Sequence, residues 1–412
     1  MKKIAGVMLG AAMTFGAVIS VNSLHRANGI GIASAQSVRA EEYKEVAAKS
    51  VEKGAVNLQI HAKASYLMDF TTGTVMFAQN ERTHLPIASM CKIMTLILTF
   101  DAIKTGNLDM NEELTISERA ASMGGSQVFL EANAKYPVRE LIKSIVVCSA
   151  NDSCVALSER IAGSEEIFTD KMNEKAKTLG ANDTLFANCT GLPKEPQYSC
   201  AKDVAIMLKE LLSNEEYYEF GKVWMEQFKH PQGRYTEITN TNKLVRFYDG
   251  CDGGKTGFTN QAGFCLAATA KRNDTRVISV VIGEENSQTR FNDVRTMFDY
   301  AFANYVTTPI VEANVPLENT GFVNGGKVKK VAICPERSAF TFCKRGEKAN
   351  VTLETHLETL RAPLKKGERV GELVVFKDNV EVERVPLVAA SDVVKANLFD
   401  RFRDVARGWN AR

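Results

Sequence analysis

Two apolar runs flank Thr71-Thr72-Gly73 in "SYLMDFTTGTVMFAQN" (65–80), a pattern that predicts a β-hairpin. The next stretch, "LPIASMCKIMTLILTF" (85–100), is apolar on nearly every helical face, as a helix at the centre of a core would be. From 138 to about 230 the periodicity is helical, in "RELIKSIVV", "SCVALSERIA", "EEIFTDKMNEKAKTLG" and "AKDVAIMLKELLS". It breaks at Ser149-Ala150-Asn151 and in the loop "NCTGLPKEPQYS". Strand character returns in "GGKTGFTNQAGFCLAATAKRN" and "TRVISVVIGEE", and "RFNDVRTMFDYAFANYV" closes as a helix. A hairpin, many helices and then two strands predict an α+β layer fold whose first and last parts share one sheet.

After Thr307-Thr308-Pro309 the texture changes to short strands separated by turn residues, which predicts a small all-β sandwich over 309–391. Residues 392–412 end in "ANLFDRFRDVARGWNAR", with Leu398, Phe399, Phe402, Val405 and Trp409 on one face and Arg401, Arg403 and Arg407 on the other. That helix is too short and polar to span a bilayer. Aromatic residues opposite arginines suit the membrane interface, so it is expected to associate with a membrane surface.

Composition refines the picture at the other end. Lys2 and Lys3 precede "IAGVMLGAAMTFGAVISV", and Ala33-Ser34-Ala35 has the form of a cleavage site, so residues 1–35 read as a signal peptide. An N-terminal segment (36–60) and a catalytic domain (61–308) follow, and the mature chain is expected outside the cytoplasmic membrane, in a periplasm or on the membrane's outer face. Removing Lys2, Lys3 and Arg26 with the leader takes the formal charge from +2 to about −1, which leaves no footprint for nucleic acid. Nine cysteines form no compact framework and no C-x-x-C; Cys334 with Cys343 and Cys189 with Cys200 are candidate bridges, but most read as small buried apolar residues. With so few ligands in metal-binding patterns, no cofactor is expected.

His61, His84, His230 and His356 stand in no recognisable triad context, so a nucleophilic serine would need another base. Lys92, three residues after Ser89 at the start of the apolar helix, fits: i and i+3 share a face, and desolvation favours a neutral lysine. The spacing alone decides little, since Ser50/Lys53 and Ser199/Lys202 repeat it in polar surroundings. Ser149-Ala150-Asn151, at the break between two helices, offers a proton relay and an amide for a substrate. Lys255-Thr256-Gly257 leads into an apolar strand whose backbone could pair with a peptide-like ligand. Lys104-Thr105-Gly106 has the same letters but sits where a helix ends, as capping chemistry.

The order Ser-x-x-Lys, Ser-x-Asn, Lys-Thr-Gly on helix, loop and strand is similar to the active-site set of the penicillin-recognising serine enzymes. "LPIASMCKIMT", "VVCSANDSCVAL", "TLFANCTGL" and "DGGKTGFTNQAG" resemble the D-alanyl-D-alanine carboxypeptidases among the low-mass penicillin-binding proteins. The resemblance runs from about residue 60 to the C-terminus. It implies a β-lactamase/DD-peptidase-like catalytic domain, an antiparallel sheet flanked by helices. It further implies removal of the terminal D-alanine from peptidoglycan pentapeptide stems, and covalent inhibition by β-lactam antibiotics. By it Ser89 is the nucleophile, Lys92 the base and Ser149 the relay, with Asn151 and Lys255 binding substrate. Ser89 and Phe258 would supply the oxyanion-hole N–H groups, next to Gly257, and Thr256 with Arg290 would hold the terminal carboxylate.

Cys91, Ala150 and Phe258 depart from the family's usual Thr, Gly and His or Tyr. A class A β-lactamase is the rival enzyme, but residues 175–194 contain no Glu to drive deacylation. A non-catalytic penicillin-binding sensor is the alternative from another class, against which all the catalytic side chains are present. A transpeptidase differs only in its acceptor.

Overall fold

A computed structural model of the chain describes residues 58–347 and 349–400. The expected leader and the body of the terminal helix, beyond Asp400, lie outside the described residues.

The hairpin forms as β1 (Ala64–Asp69) and β2 (Val75–Gln79). The single strand region expected around Lys255 folds as two strands, β5 (Cys251–Thr259) and β6 (Gly263–Arg272), and β7 is Thr275–Glu284. They build one antiparallel sheet in the order β2-β1-β7-β6-β5, so the first and last segments do share it. Between β2 and β5 the chain supplies the helical layer: α1 (Lys92–Lys104), α2 (Val138–Cys148), α3 (Asn151–Ala162), α4 (Glu165–Thr178) and α5 (Ala201–Leu212). A hairpin of β3 (Met225–Lys229) and β4 (Tyr235–Thr239) precedes β5.

Helix α1 is buried all round: Ile93, Met94 and Ile97 are fully covered, and so is Lys92 at its start. The core it organises fills one side of the sheet with residues of all five helices. A second core joins sheet residues such as Leu266 and Val281 to Val294, Met297 and Phe298 of α6 (Ser287–Asn304). A sheet with apolar residues on both faces, each covered by helix, is the layered arrangement that the sequence pattern implies.

Strand β8 (Tyr305–Val311) follows α6 directly and runs uninterrupted through the expected boundary at 308/309. Thr307 pins it to the catalytic sheet: its N–H donates to Thr275 Oγ1 at 2.8 Å, and its hydroxyl donates to Asp69 Oδ1 at 3.0 Å. The β module consists of β9 (Thr320–Asn324), β10 (Lys330–Pro335), β11 (Ala339–Lys344), β12 (Val351–Leu357), β13 (Leu360–Arg361), β14 (Arg369–Lys377) and β15 (Val380–Ala389). One sheet has the order β12-β14-β15-β10-β9-β13, and β8 pairs with β11 in the other. Val323, Ile333, Leu373 and Leu387 fill the space between them together with Ala339, and Ile310 and Val311 pack against that core.

All nine thiols are free, so neither candidate bridge forms; seven are buried as small apolar fillers. Near the end, Asp400 N–H donates to Asn397 Oδ1 and Asn397 N–H to Asp400 Oδ2, the reciprocal cap that starts a helix. Leu398 and Phe399 are 73% and 88% exposed there. Among the described residues no helix is long and apolar enough to cross a membrane.

The strand that carries Lys255 is anchored three residues upstream. Arg276 of β7 grips Asp252 through two bonds of 2.7 Å, with its guanidinium 4.6 Å from the Tyr218 ring. Replacing Arg276 by Ala leaves Asp252 without its partner and is expected to cost about 3 kcal/mol, measured as a lower midpoint in urea unfolding with an unchanged slope.

Candidate active site

Ser89 lies in a single 3-10 turn, Ala88–Cys91, that leads into α1. Two glycines shape this turn from outside. A Cβ on Gly191 would lie 2.0 Å from the carbonyl oxygen of Ala88, and one on Gly257 2.6 Å from that of Ile87. Neither position has room for any other residue, and Ala88 itself adopts φ +46°. The nucleophile candidate is therefore wedged between β5 and the loop around Gly191.

One turn on, Lys92 turns back onto Ser89: its Nζ lies 2.9 Å from Ser89 Oγ and donates to the carbonyl of Thr190 at 2.5 Å. Asn188 folds the loop so that this carbonyl faces the lysine, taking the N–H of Gly191 at 2.7 Å and giving its own amide to Leu192 at 2.8 Å. Lys92 is fully buried and has no ion-pair partner among the described residues, so desolvation lowers its pKa. Its ionisable neighbours Cys91, Cys148, Cys154 and Cys189 are themselves pushed up by burial, Cys148 and Cys154 to about 12, and stay neutral.

Ser149 closes α2 in the left-handed region, φ +68°, and its buried hydroxyl has no hydrogen-bond partner. The strained backbone and the idle hydroxyl leave Ser149 Oγ available to a ligand. Asn151, the first residue of α3, donates its side-chain amide to Gly124 at 2.7 Å, and its N–H goes to Ser126 at 2.7 Å. The amide's donor end is thus engaged by the protein. Its oxygen is the buried, unpartnered atom, suited to accept a peptide N–H from a ligand rather than to hold a carbonyl.

Strand β5 completes the site. Lys255 is 2% exposed; burial first and then the charge of Lys92 lower its pKa to about 7. Burial and the neighbouring charge both act against a second ammonium here, which favours the neutral form of Lys255. Thr256 donates its hydroxyl to Thr241 at 2.8 Å, and Phe258 stands 51% exposed at the strand's end. The position of a Cβ on Gly257 falls 3.3 Å from the Ser89 nitrogen, which places the amide of Ser89 beside the Gly257-Phe258 backbone. Arg290 reaches from α6 to the carbonyls of Gly257 and Cys265 at 3.3 and 3.2 Å, which clamps β5 to β6; burial lowers its pKa to about 10, and its Nε has no partner.

The structure thus brings Ser89, Lys92, Lys255 and Gly257 together. Lys104-Thr105-Gly106 ends α1, with Gly106 at φ +74°, and Ser199 gives its hydroxyl to a bond with Thr184 at 2.8 Å. Residue-by-residue reading missed Asn188 and Thr190, which orient the lysine, and Asp152, which takes the N–H groups of Val128 and Leu130 and secures the loop against Asn151. Their signal was present only as parts of longer motifs. Glu165 of α4 does reach the 188–192 loop, but Arg119 and the N–H of Cys189 occupy its carboxylate, so it is not a free base for deacylation. Asp183, Cys200 and Asp203 form the one metal-compatible group among the described residues, and it shares no residue with this site.

Comparison with known proteins identifies the family. Residues 48–286 match the family model described as D-alanyl-D-alanine carboxypeptidase, and residues 305–395 match that of the penicillin-binding protein 5 C-terminal domain. The D-alanyl-D-alanine carboxypeptidase DacF of Bacillus subtilis is 38% identical over 364 residues, covering 88% of this chain and 93% of the relative. DacC of Escherichia coli is 31% identical, covering 84% of this chain and 87% of its own. The crystal structure of penicillin-binding protein 5 from Haemophilus influenzae superposes with a TM-score of 0.67 at 29% identity, over 83% of this chain and all 100% of that one. With its catalytic layers, its β module and the lysine-paired serine all accounted for, the chain belongs to the D-alanyl-D-alanine carboxypeptidase family.

Proposed function

We propose that the carboxypeptidase reaction runs through an acyl-enzyme on Ser89. The observation that carries this reading is the 2.9 Å contact between Ser89 Oγ and a fully buried Lys92 that lacks a carboxylate partner. Neutral Lys92 takes the hydroxyl proton as Oγ attacks the carbonyl between the two D-alanines of a peptidoglycan stem. The developing oxyanion meets the N–H groups of Ser89 and Phe258, at the start of a helix whose dipole favours negative charge. Asn151 and the β5 backbone hold the peptide, and its terminal carboxylate lies at Thr256, whose hydroxyl turns from Thr241 to meet it, with the buried charge of Arg290 behind the strand. Ser149 then passes a proton to the departing D-alanine amine, and water releases the shortened stem by the same route in reverse.

A β-lactam mimics the same peptide bond and stops at the acyl stage, because its ring nitrogen stays tethered to the acyl group and keeps water from the space that a departing D-alanine vacates. The solved Listeria monocytogenes penicillin-binding protein D2 with ampicillin bound, 29% identical over 60% of this chain, supports that reading. The enzyme works outside the cytoplasmic membrane, delivered by the leader at 1–35 and kept at the membrane surface by the helix that the cap at Asn397 begins.

Ser89→Ala is expected to abolish both D-alanine release from a pentapeptide analogue and labelling by a fluorescent penicillin; labelling that survives refutes the nucleophile assignment. The acylation rate constant is expected to rise with pH through about 7, the value to which burial and the charge of Lys92 lower Lys255. The sign follows from lowered lysine pKa values: the neutral base exists only above them, so acid silences it. A profile flat across that value points to a different base. Deleting residues 396–412 is expected to move the mature protein from the membrane pellet to the soluble fraction after fractionation, and a truncated form that still pellets excludes the anchor.

A further inference from the structure

The connection between β9 and β10 carries Lys327-Val328-Lys329-Lys330, and nothing in the chemistry above uses it. Lys327, Val328 and Lys330 are exposed, Val328 with 58% of its surface bare at the turn. The last described stretch of the chain is stitched to this turn. Lys327 N–H donates to the carbonyl of Val394 at 2.9 Å, Ala396 N–H donates to that of Gly325 at 2.8 Å, and Gly326 pairs with Lys395 in an antiparallel bridge. Val394 is 60% exposed, and Leu398 and Phe399 follow it at the start of the terminal helix with still more of their surface bare. Across the hairpin, exposed Phe322 stands opposite Lys330. Exposed apolar side chains from three separated segments therefore gather around one turn, as they do on a surface that is covered in use.

The charges among them have one sign. Lys327, Lys330 and Lys395 have no ion-pair partner among the described residues, and Lys329 donates to the carbonyl of Gly326 at 3.2 Å. The acids of the same stretch are engaged with backbone. Asp392 Oδ1 takes the N–H of Lys366, and buried Asp400 takes that of Asn397. Lysines interleaved with bare apolar residues suit an anionic bilayer, where the apolar tips and lysine stems enter the headgroup layer and the ammonium groups meet phosphates. A soluble polyanion would engage the lysines alone and leave the apolar side chains in water, so the mixture favours the bilayer.

We propose that this end of the β module is a second lipid-binding surface, on which Lys327, Lys330 and Lys395 bind the headgroups of anionic lipids and Val328 enters the interface. The inference deepens the membrane reading of the terminal helix and rests on the enzyme working at a membrane. The helix supplies apolar depth; the turn supplies the preference for anionic lipid and sets which end of the β module meets the bilayer.

The test is cosedimentation of the mature protein with vesicles of phosphatidylcholine alone and of an equal mixture with phosphatidylglycerol. The wild-type protein is expected to bind the mixed vesicles about tenfold more tightly or better, and K327Q/K330Q to lose about tenfold on them with little change on the neutral ones. V328N is expected to weaken binding to both by about threefold. D-alanine release from a soluble pentapeptide analogue stays at the wild-type rate in each variant, which verifies that they are folded. Unchanged binding by K327Q/K330Q, equal affinity for the two kinds of vesicle, or binding to neither overturns the proposal. So does a loss in K327Q/K330Q with none in V328N, which marks the surface as a site for a soluble polyanion. Deleting 401–412 separates the two readings. Full binding by the truncated protein, with K327Q/K330Q still weakened, defeats the helix as anchor and leaves this surface standing; loss on truncation with K327Q/K330Q unaffected does the opposite.

Discussion

Everything in this molecule depends on keeping one lysine dry next to one serine. An ammonium group costs several kcal/mol to bury without a partner, so the fold has to make that cost unavoidable and let the proton leave instead. It does so by starting its most enclosed helix at Lys92 and by lining the neighbourhood with thiols that stay neutral. The charge of Lys92 in turn lowers the pKa of Lys255, brought in on a separate strand. The dry lysine is thus a product of the whole helical layer and the sheet edge, not of a local motif.

The second constraint is steric. Ser89 is held where two backbones approach too closely for any side chain between them, at Gly191 and Gly257, and Ala88 accepts a left-handed conformation as a result. Ser149 shows the same trade of backbone comfort for position. These strained points come from three distant parts of the sequence, and only a well-packed core can hold them in register.

Much of this was legible in the sequence because it rests on patterns with physical causes. Apolar residues all round 93–103 announced a core helix, and the hairpin at 65–80 and the helix after Ser287 followed from periodicity. The decoy at Lys104 was separable from Lys255 because one ends a helix and the other enters a strand. What the letters did not disclose was contact between remote segments. Nothing local marks Thr190's carbonyl as the lysine's partner, or shows that Asn151 turns its donor end inward, or that Arg290 clamps two strands. The region from Gly253 to Asn273 read as one strand because its turn at Asn260-Gln261-Ala262 lacks a glycine pair, yet it folds back on itself with Lys255 opposite Ala267.

The nine unbridged thiols carry a wider consequence. Exported enzymes often borrow rigidity from crosslinks that an oxidase must install, and their maturation then waits on that partner. Here the core and the strand seam at Thr307 provide the rigidity alone, with cysteine serving as filler. The described fold therefore has no crosslink for a reductant to break, and every contact that holds it survives in a reducing solution.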